Sequence, residues 1–163
     1  MALGFSRAVP PEDVSVVVNI GDDDRFHGLY VCPDLDTVLY TLGGIVDRQQ
    51  GWGVSGDTTK ALETLRTLDS PGAWMKLGDS DLGLHIYRTA QLSQGNSLTA
   101  VISRIAKAFD VACNVLPVSD SECPTLVRTL RDYSDFKSGS CATSLRPPSK
   151  GWKSTRVSGP RPK

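Results

Sequence analysis

The sequence predicts an α/β fold with a mostly parallel sheet and flanking helices. Three observations carry this. Residues 14–20, Val14 to Ile20, form a continuous apolar, β-branched run too short for a helix. A second strand candidate lies at Val111 to Val118, closed by Pro117 and the turn residues Ser119-Asp120-Ser121. Between them stand several segments with helical spacing, and strands separated by helices favour a parallel sheet.

In chain order, Leu3, Phe5 and Val9 read as the end of a helix, followed by a turn at Pro10-Pro11. Val14 to Ile20 then reads as a strand buried on both faces. It ends at Gly21 and three acids, Asp22, Asp23 and Asp24. Pro33-Asp34 opens a helix, with Asp34 as N-cap and Val38, Leu39, Leu42, Ile45 and Val46 on its apolar face. Gly43-Gly44 weakens its end, and Gly51-Trp52-Gly53 is a loop. Asp57 or Thr58 caps a helix bearing Ala61, Leu62, Leu65 and Leu68, stopped at Pro71-Gly72. Gly78-Asp79 begins another, with Leu82, His85, Ile86 and Thr89 on one side and an end near Gly95. Ser97 caps the clearest helix, Leu98, Val101, Ile102, Ile105 and Phe109. Leu126 to Leu130 is a third strand candidate.

One domain is expected for 163 residues. The formal charge is zero but unevenly placed: residues 137–163 hold seven of the 18 Lys/Arg and none of the 18 Asp/Glu. This divides the chain into an α/β unit at 1–136 and a basic tail at 137–163. The tail has six Ser, four Pro and no hydrophobic period, so it is expected to be disordered. With a net acidic remainder and no recognisable module, nucleic-acid binding is not expected. No apolar run reaches the length of a membrane span, and the first residues do not read as a signal peptide. Cys32, Cys113, Cys123 and Cys141 show no metal-ligand spacing, and reduced thiols in a cytoplasm are the simplest reading.

The acids Asp22, Asp23, Asp24, Asp34 and Asp36 are the main candidate site. Acids at a strand end suit Mg²⁺ shared with a substrate phosphate, since that ion takes only one or two protein carboxylates. Solvated turn acids and an N-cap are the plainer reading. If Asp22 and Asp23 are extended they point to opposite faces, so only one would meet a metal. The helix start near Asp34 would suit an anion only with a cation between. No G-x-G-x-x-G or Walker sequence is present. His27 and His85 read as structural. Arg88 reads equally as a phosphate ligand or a surface ion pair.

The stretches VVVNIGDD at 16–23, HGLYVCPDLDTVLYTLGG at 27–44, GWG at 51–53, WMKLGDSDLGLHIYRT at 74–89 and VLPVSD at 115–120 carry a resemblance. Together they resemble the 2-phospho-L-lactate transferase family of coenzyme F-420 biosynthesis, over residues 1 to about 136. The resemblance implies transfer of a phospholactyl or phosphoenolpyruvyl group from a guanosine diphosphate conjugate to the deazaflavin FO, releasing GMP. It implies a Rossmann-like fold, and Mg²⁺ on Asp22 or Asp23 and on Asp34 or Asp36. It implies substrate binding at Asn19, Gly21, Asp23, Pro33, Asp36, Thr37 and Arg88, and a homodimer in full-length members. A non-catalytic nucleotide- or partner-binding protein is the alternative.

Against the family pattern, a first strand with a GGxGG-type loop is expected before residue 1, and further sheet beyond residue 136. The chain is therefore expected to be an inactive fragment, incomplete at both ends. One allowed codon choice for Phe136 to Thr143, read from the third base, gives Gln-Glu-Trp-Phe-Val-Arg-Asp, the family-like continuation. A frameshifted origin of the tail is the corresponding expectation.

Overall fold

The computed structural model describes residues 1–128 and 133–135. The expectations for the tail at 137–163, and for Thr129 and Leu130 at the end of the third strand candidate, lie outside them. Helix α1 (Ala2–Ala8) leads through a 3-10 turn (Pro11–Asp13) into strand β1 (Ser15–Val18). A short hairpin follows, β2 (Asp24–Phe26) and β3 (Leu29–Val31), and then helix α2 (Pro33–Leu42). Helices α3 (Lys60–Thr67), α4 (Asp79–Ser93) and α5 (Leu98–Ala108) lead to β4 (Asn114–Pro117), β5 (Leu126–Arg128) and β6 (Tyr133–Asp135).

Strand β1 pairs with β4 in parallel, from Ser15 opposite Asn114 to Val18 opposite Pro117. This pair with its flanking helices is the Rossmann-like part of the fold. The β2–β3 and β5–β6 pairs are antiparallel. The β2–β3 turn is His27-Gly28, both at positive φ (53° and 80°), the geometry that two-residue hairpins favour.

The core lies between the parallel pair and helices α2, α4 and α5. Leu35 and Leu39 of α2, and Val101 and Ile102 of α5, are fully buried. Each such side chain contributes about 1.5–3 kcal/mol of apolar burial. Ser97 caps α5 as expected, its Oγ accepting from the Ala100 N–H at 3.2 Å. Phe26, Val31 and Leu77 form a second, smaller cluster under the hairpin.

Several local expectations are corrected. The Val14–Ile20 run is not buried on both faces: Val18 is buried and Val17 is 61 % exposed. Among the described residues no helix packs on the face that Val17 presents. The N-cap position of α2 is Cys32, and Asp34 sits inside the first turn. Ile45 and Val46 lie beyond the end of α2, where Val46 bridges Val54 instead. Gly44, at φ 74°, turns the chain out of the helix, and a side chain at Gly43 would crowd the Phe109 carbonyl at 2.9 Å. Helix α3 buries only Leu62, and Leu68 is exposed. Helix α4 buries Asp81, Leu84, His85 and Arg88, while Ile86 faces out.

The capping of α3 and α4 is reciprocal. Asp57, expected to cap its own helix, accepts from Ser80 N–H at 2.9 Å and Asp81 N–H at 3.3 Å, at the start of α4. Asp79 of α4 accepts from Lys60 N–H at 3.1 Å and Ala61 N–H at 3.0 Å, at the start of α3. Each carboxylate thus meets orphan donors and the positive end of the other helix.

Candidate functional site

Helices α2 and α4 bring five polar side chains to one buried wall. Asp36 and Tyr40 stand one turn apart on α2. Asp81, His85 and Arg88 stand at matching intervals on α4, so each set shares a helix face. Arg88 is wholly buried. Its Nη2 donates to Asp36 Oδ1, and its Nη1 donates to Asp36 Oδ2 and to the Tyr30 carbonyl, both at 3.2 Å. His85 Nδ1 lies 3.7 Å from Asp36 Oδ2. The Tyr40 hydroxyl donates to Asp81 Oδ1 at 2.6 Å.

The electrostatics follow from burial and pairing. Burial works against the charge on Arg88, but the Asp36 carboxylate reverses the balance and holds the guanidinium more firmly protonated. Burial raises the Asp81 carboxyl, with Tyr40 and His85 pulling the other way. It also raises the Tyr40 phenol, and Asp36 and Asp81 add to that. Tyr40 therefore stays a donor throughout the physiological range.

In front of this wall is a slot of about 210 Å³. Val31, Pro33, Met75 and Leu77 give it apolar sides, and Trp52 stands at its edge. Asp36, Thr37, Tyr40, Asp81 and His85 supply its polar side. Small-molecule sites combine these features: mostly apolar walls with a few convergent polar groups.

Asp23 belongs to a separate cavity of about 170 Å³ below the hairpin, with Asp24, Arg25, Tyr30 and Glu122. Both of its carboxylate oxygens are shielded from solvent and lack a hydrogen-bond partner. Burial pushes its carboxyl up to about 6. The Cys32 thiol, the Tyr30 hydroxyl and the Arg88 charge offset part of that, though neither thiol nor hydroxyl reaches hydrogen-bond geometry.

The residues anticipated from sequence therefore divide into four groups. Pro33, Asp36 and Thr37 line the slot. Arg88, read as a phosphate ligand or surface pair, is instead the buried counter-ion of Asp36. Asn19, Gly21 and Asp34 form a hydrogen-bonded cluster at the end of β1. There Asn19 Nδ2 donates to Asp34 Oδ2 at 2.8 Å, and Asn19 Oδ1 accepts from Gly21 N–H at 3.0 Å. Asp22 lies beside Asp23 on the turn after β1. Tyr40, Trp52, Lys76 and Asp81 were not anticipated as site residues. Their signal was the stretches HGLYVCPDLDTVLYTLGG, GWG and WMKLGDSDLGLHIYRT, in which all four stand.

For a divalent cation, Asp23 fits: both of its shielded oxygens are unpartnered, and an ion entering the cavity that Asp23 lines would supply the partner they lack. Asp36 is already neutralised by Arg88, and Asp34 is held by Asn19. Among the described residues no three His, Cys, Asp or Glu converge on one point. The fit is thus to an ion held by one or two carboxylates, with the remaining positions taken by water or substrate oxygens.

A family model described as 2-phospho-L-lactate transferase CofD matches residues 1–140. The chain is 41 % identical over 124 residues to a phosphoenolpyruvate transferase of Nocardia farcinica, covering 76 % of this chain and 37 % of that protein. It is 43 % identical over 120 residues to one of Mycobacterium avium, covering 74 % and 36 %. A 2-phospho-L-lactate transferase of Methanospirillum hungatei is 38 % identical over 134 residues, covering 82 % and 45 %. The chain spans less than half the length of these relatives.

Proposed function

Because the chain belongs to the 2-phospho-L-lactate transferase CofD family, we propose that it carries the acceptor-binding part of a transferase of coenzyme F-420 biosynthesis. The reaction is transfer of a phospholactyl or phosphoenolpyruvyl group from a guanosine diphosphate conjugate to the deazaflavin FO. A ribityl hydroxyl oxygen of FO attacks the phosphorus that bears the lactyl or enolpyruvyl group. The anhydride P–O bond to GMP breaks, GMP leaves with the electron pair, and the hydroxyl proton is lost.

The observation that carries this reading is the slot between Pro33 and Leu77, apolar on its sides and polar at its back. A planar ring system would bury its faces against the apolar sides and direct its hydrogen-bonding atoms to Tyr40 and Asp81. Transfer of this kind depends on positioning and charge neutralisation more than on covalent help. The Asp36–Arg88 pair contributes to positioning, since it fixes α2 against α4 and so sets the slot's back wall. Pro33 and Thr37 bring the start of α2 to the same opening. A magnesium ion at Asp23, when bound, would neutralise the donor diphosphate, and Asp23 would hold it. The protein's own fluorescence and that of FO give the test. FO should bind with quenching at micromolar concentration, and Pro33→Ala or Thr37→Ala should weaken it. No quenching at high micromolar FO would sink the reading. Assay of GMP release with both substrates and Mg²⁺ then separates a transferase from a non-catalytic binding protein.

A further inference from the structure

Tyr40 lines the slot and also a second cavity, of about 430 Å³. That is about twice the volume of the slot, and within the range of about 300–1,000 Å³ that small-molecule sites occupy. Tyr40 is the one lining residue the two share. Its hydroxyl serves Asp81, which faces the slot. Its ring packs against Phe109 of the second cavity, with 5.9 Å between centroids.

Four segments wall this cavity: Tyr40 of α2, Ile45 and Val54 of the following loop, Leu84 of α4, and Phe109 at the end of α5. The loop wall is tied down. Ile45 N–H and Val46 N–H both donate to the Tyr40 carbonyl, at 2.9 and 3.1 Å, and the Val46–Val54 bridge closes the loop. Among the described residues that line the cavity, Arg104 is the one charged side chain, and none is a carboxylate. The slot, by contrast, carries Asp36 and Asp81. Arg104 is also held in position. Its Nη1 donates to Gln91 Oε1 and its Nη2 to Asn96 Oδ1 at 3.2 Å. Asn96 Nδ2 donates in turn to the Gln91 carbonyl at 3.1 Å, near the end of α4. These bonds use two of the five N–H donors of a guanidinium. A planar fork fixed in advance loses less freedom when it meets an acid.

We propose that this cavity is a second small-molecule site, which takes an aromatic monoacid: an apolar ring body between α4, α5 and the 45–54 loop, with its one anionic group on Arg104. Charge complementarity and enclosure name this occupant. A lone guanidinium at an otherwise apolar cavity matches a ligand with a single acid group. Walls from four separate segments suit a compact molecule rather than an extended chain. The ligand would lie against the Tyr40 ring, whose hydroxyl holds Asp81 in the slot, without touching the slot's polar groups.

Two dyes with one ring skeleton test this on the whole chain. 1-Anilinonaphthalene-8-sulfonate carries one anionic group, and N-phenyl-1-naphthylamine carries none. Both brighten on leaving water. Arg104→Gln should weaken the sulfonate about fivefold and leave the neutral dye unchanged, one charged contact at a cavity mouth being worth that factor. Ala108→Phe, which fills the cavity from its rim, should weaken both dyes. Both residues are exposed, so thermal unfolding of the variants should match the parent. Equilibrium dialysis with saturating FO should displace neither dye. Absence of binding, equal weakening of both dyes by Arg104→Gln, or no effect of Ala108→Phe overturns the proposal. Displacement by FO does the same, since it would put the dyes in the slot. So does a dimer, seen by sedimentation, whose formation excludes the dyes, because that face would then belong to a second copy. The variants decide the site whether or not FO binds, so its failure and the failure of the slot reading are distinct.

Discussion

Arg88 of α4 closes on Asp36 of α2 with both terminal nitrogens, and both residues are buried. They lie 52 positions apart in the chain, so the pair is a tertiary tie between two helices rather than a local contact. A buried pair of this kind is weak evidence of net stabilisation, but removing one partner strands the other charge. Arg88→Met should cost about 3–5 kcal/mol in urea unfolding. The double variant Asp36→Asn with Arg88→Met should cost less than the two single losses added, because it strands nothing. Additive losses would show that the two residues act separately.

Asp23 should make stability depend on pH in the direction opposite to an ordinary paired carboxylate. Its carboxyl is raised to about 6 in the folded chain, above the value near 4 expected when unfolded. Between those values the folded state holds the extra proton, so stability falls as pH rises through the window. Asp23→Asn should abolish that slope and be more stable than the parent at pH 7 by about 1–2 kcal/mol, allowing for partial solvent access. Mg²⁺ at pH 7 should raise the unfolding midpoint of the parent and leave that of Asp23→Asn unchanged. A parent midpoint that ignores Mg²⁺ would remove Asp23 as its ligand.

Gly78 is required by the exchange of caps between α3 and α4. A Cβ on residue 78 would land on the Asp57 carboxylate that caps α4. Gly78→Ala should therefore displace Asp57 and cost about 1–2 kcal/mol, close to the loss from Asp57→Ala. Combining the two should add little, since the same cap is lost once. Thermal melts of the three variants decide this, and a full sum for the double variant would contradict it.

Which of these features could be read from the sequence depends on their range. The Ser97 cap and the apolar face of α5 were legible because cap and face repeat within a few residues. The hairpin at 24–31 was missed because each strand is only three residues long, too short for an alternation to show. The Val14–Ile20 run misled because apolar composition does not say whether a second layer covers the outer face. The acids of the candidate site were found, but their partners were not. Asn19 takes Asp34 from 15 residues away and Arg88 takes Asp36 from 52 away. Such pairings decide which carboxylates remain open for a cation, and Asp23 emerges with both of its buried oxygens unpartnered. The exchange of Asp57 and Asp79 was hidden for the same reason: each looks like a cap for the helix it precedes or begins.

Tyr40 and Asp81 should report on the slot's back wall through pH. Burial raises the Asp81 carboxyl, and the Tyr40 hydroxyl at 2.6 Å is the main local group holding it down. Tyr40→Phe removes that donor and leaves a buried carboxylate short of a partner, at a cost of about 1–3 kcal/mol at pH 7. Its carboxyl pKa should then rise further. The sign follows: with the folded value raised above the unfolded one, the penalty belongs to the charged form and disappears as Asp81 takes a proton. The difference between Tyr40→Phe and the parent should therefore be largest at pH 7 and shrink steadily toward pH 4. The phenol itself does not titrate in this range, so the pH dependence comes from Asp81 and the His85 and Asp36 charges that act on it. FO affinity should fall along with stability in this variant, since Tyr40 and Asp81 both face the slot. Urea unfolding and FO titration at matched pH values give both readouts. A stability loss that is the same at every pH would mean the hydroxyl acts through packing, and would detach Asp81 from the role assigned to it.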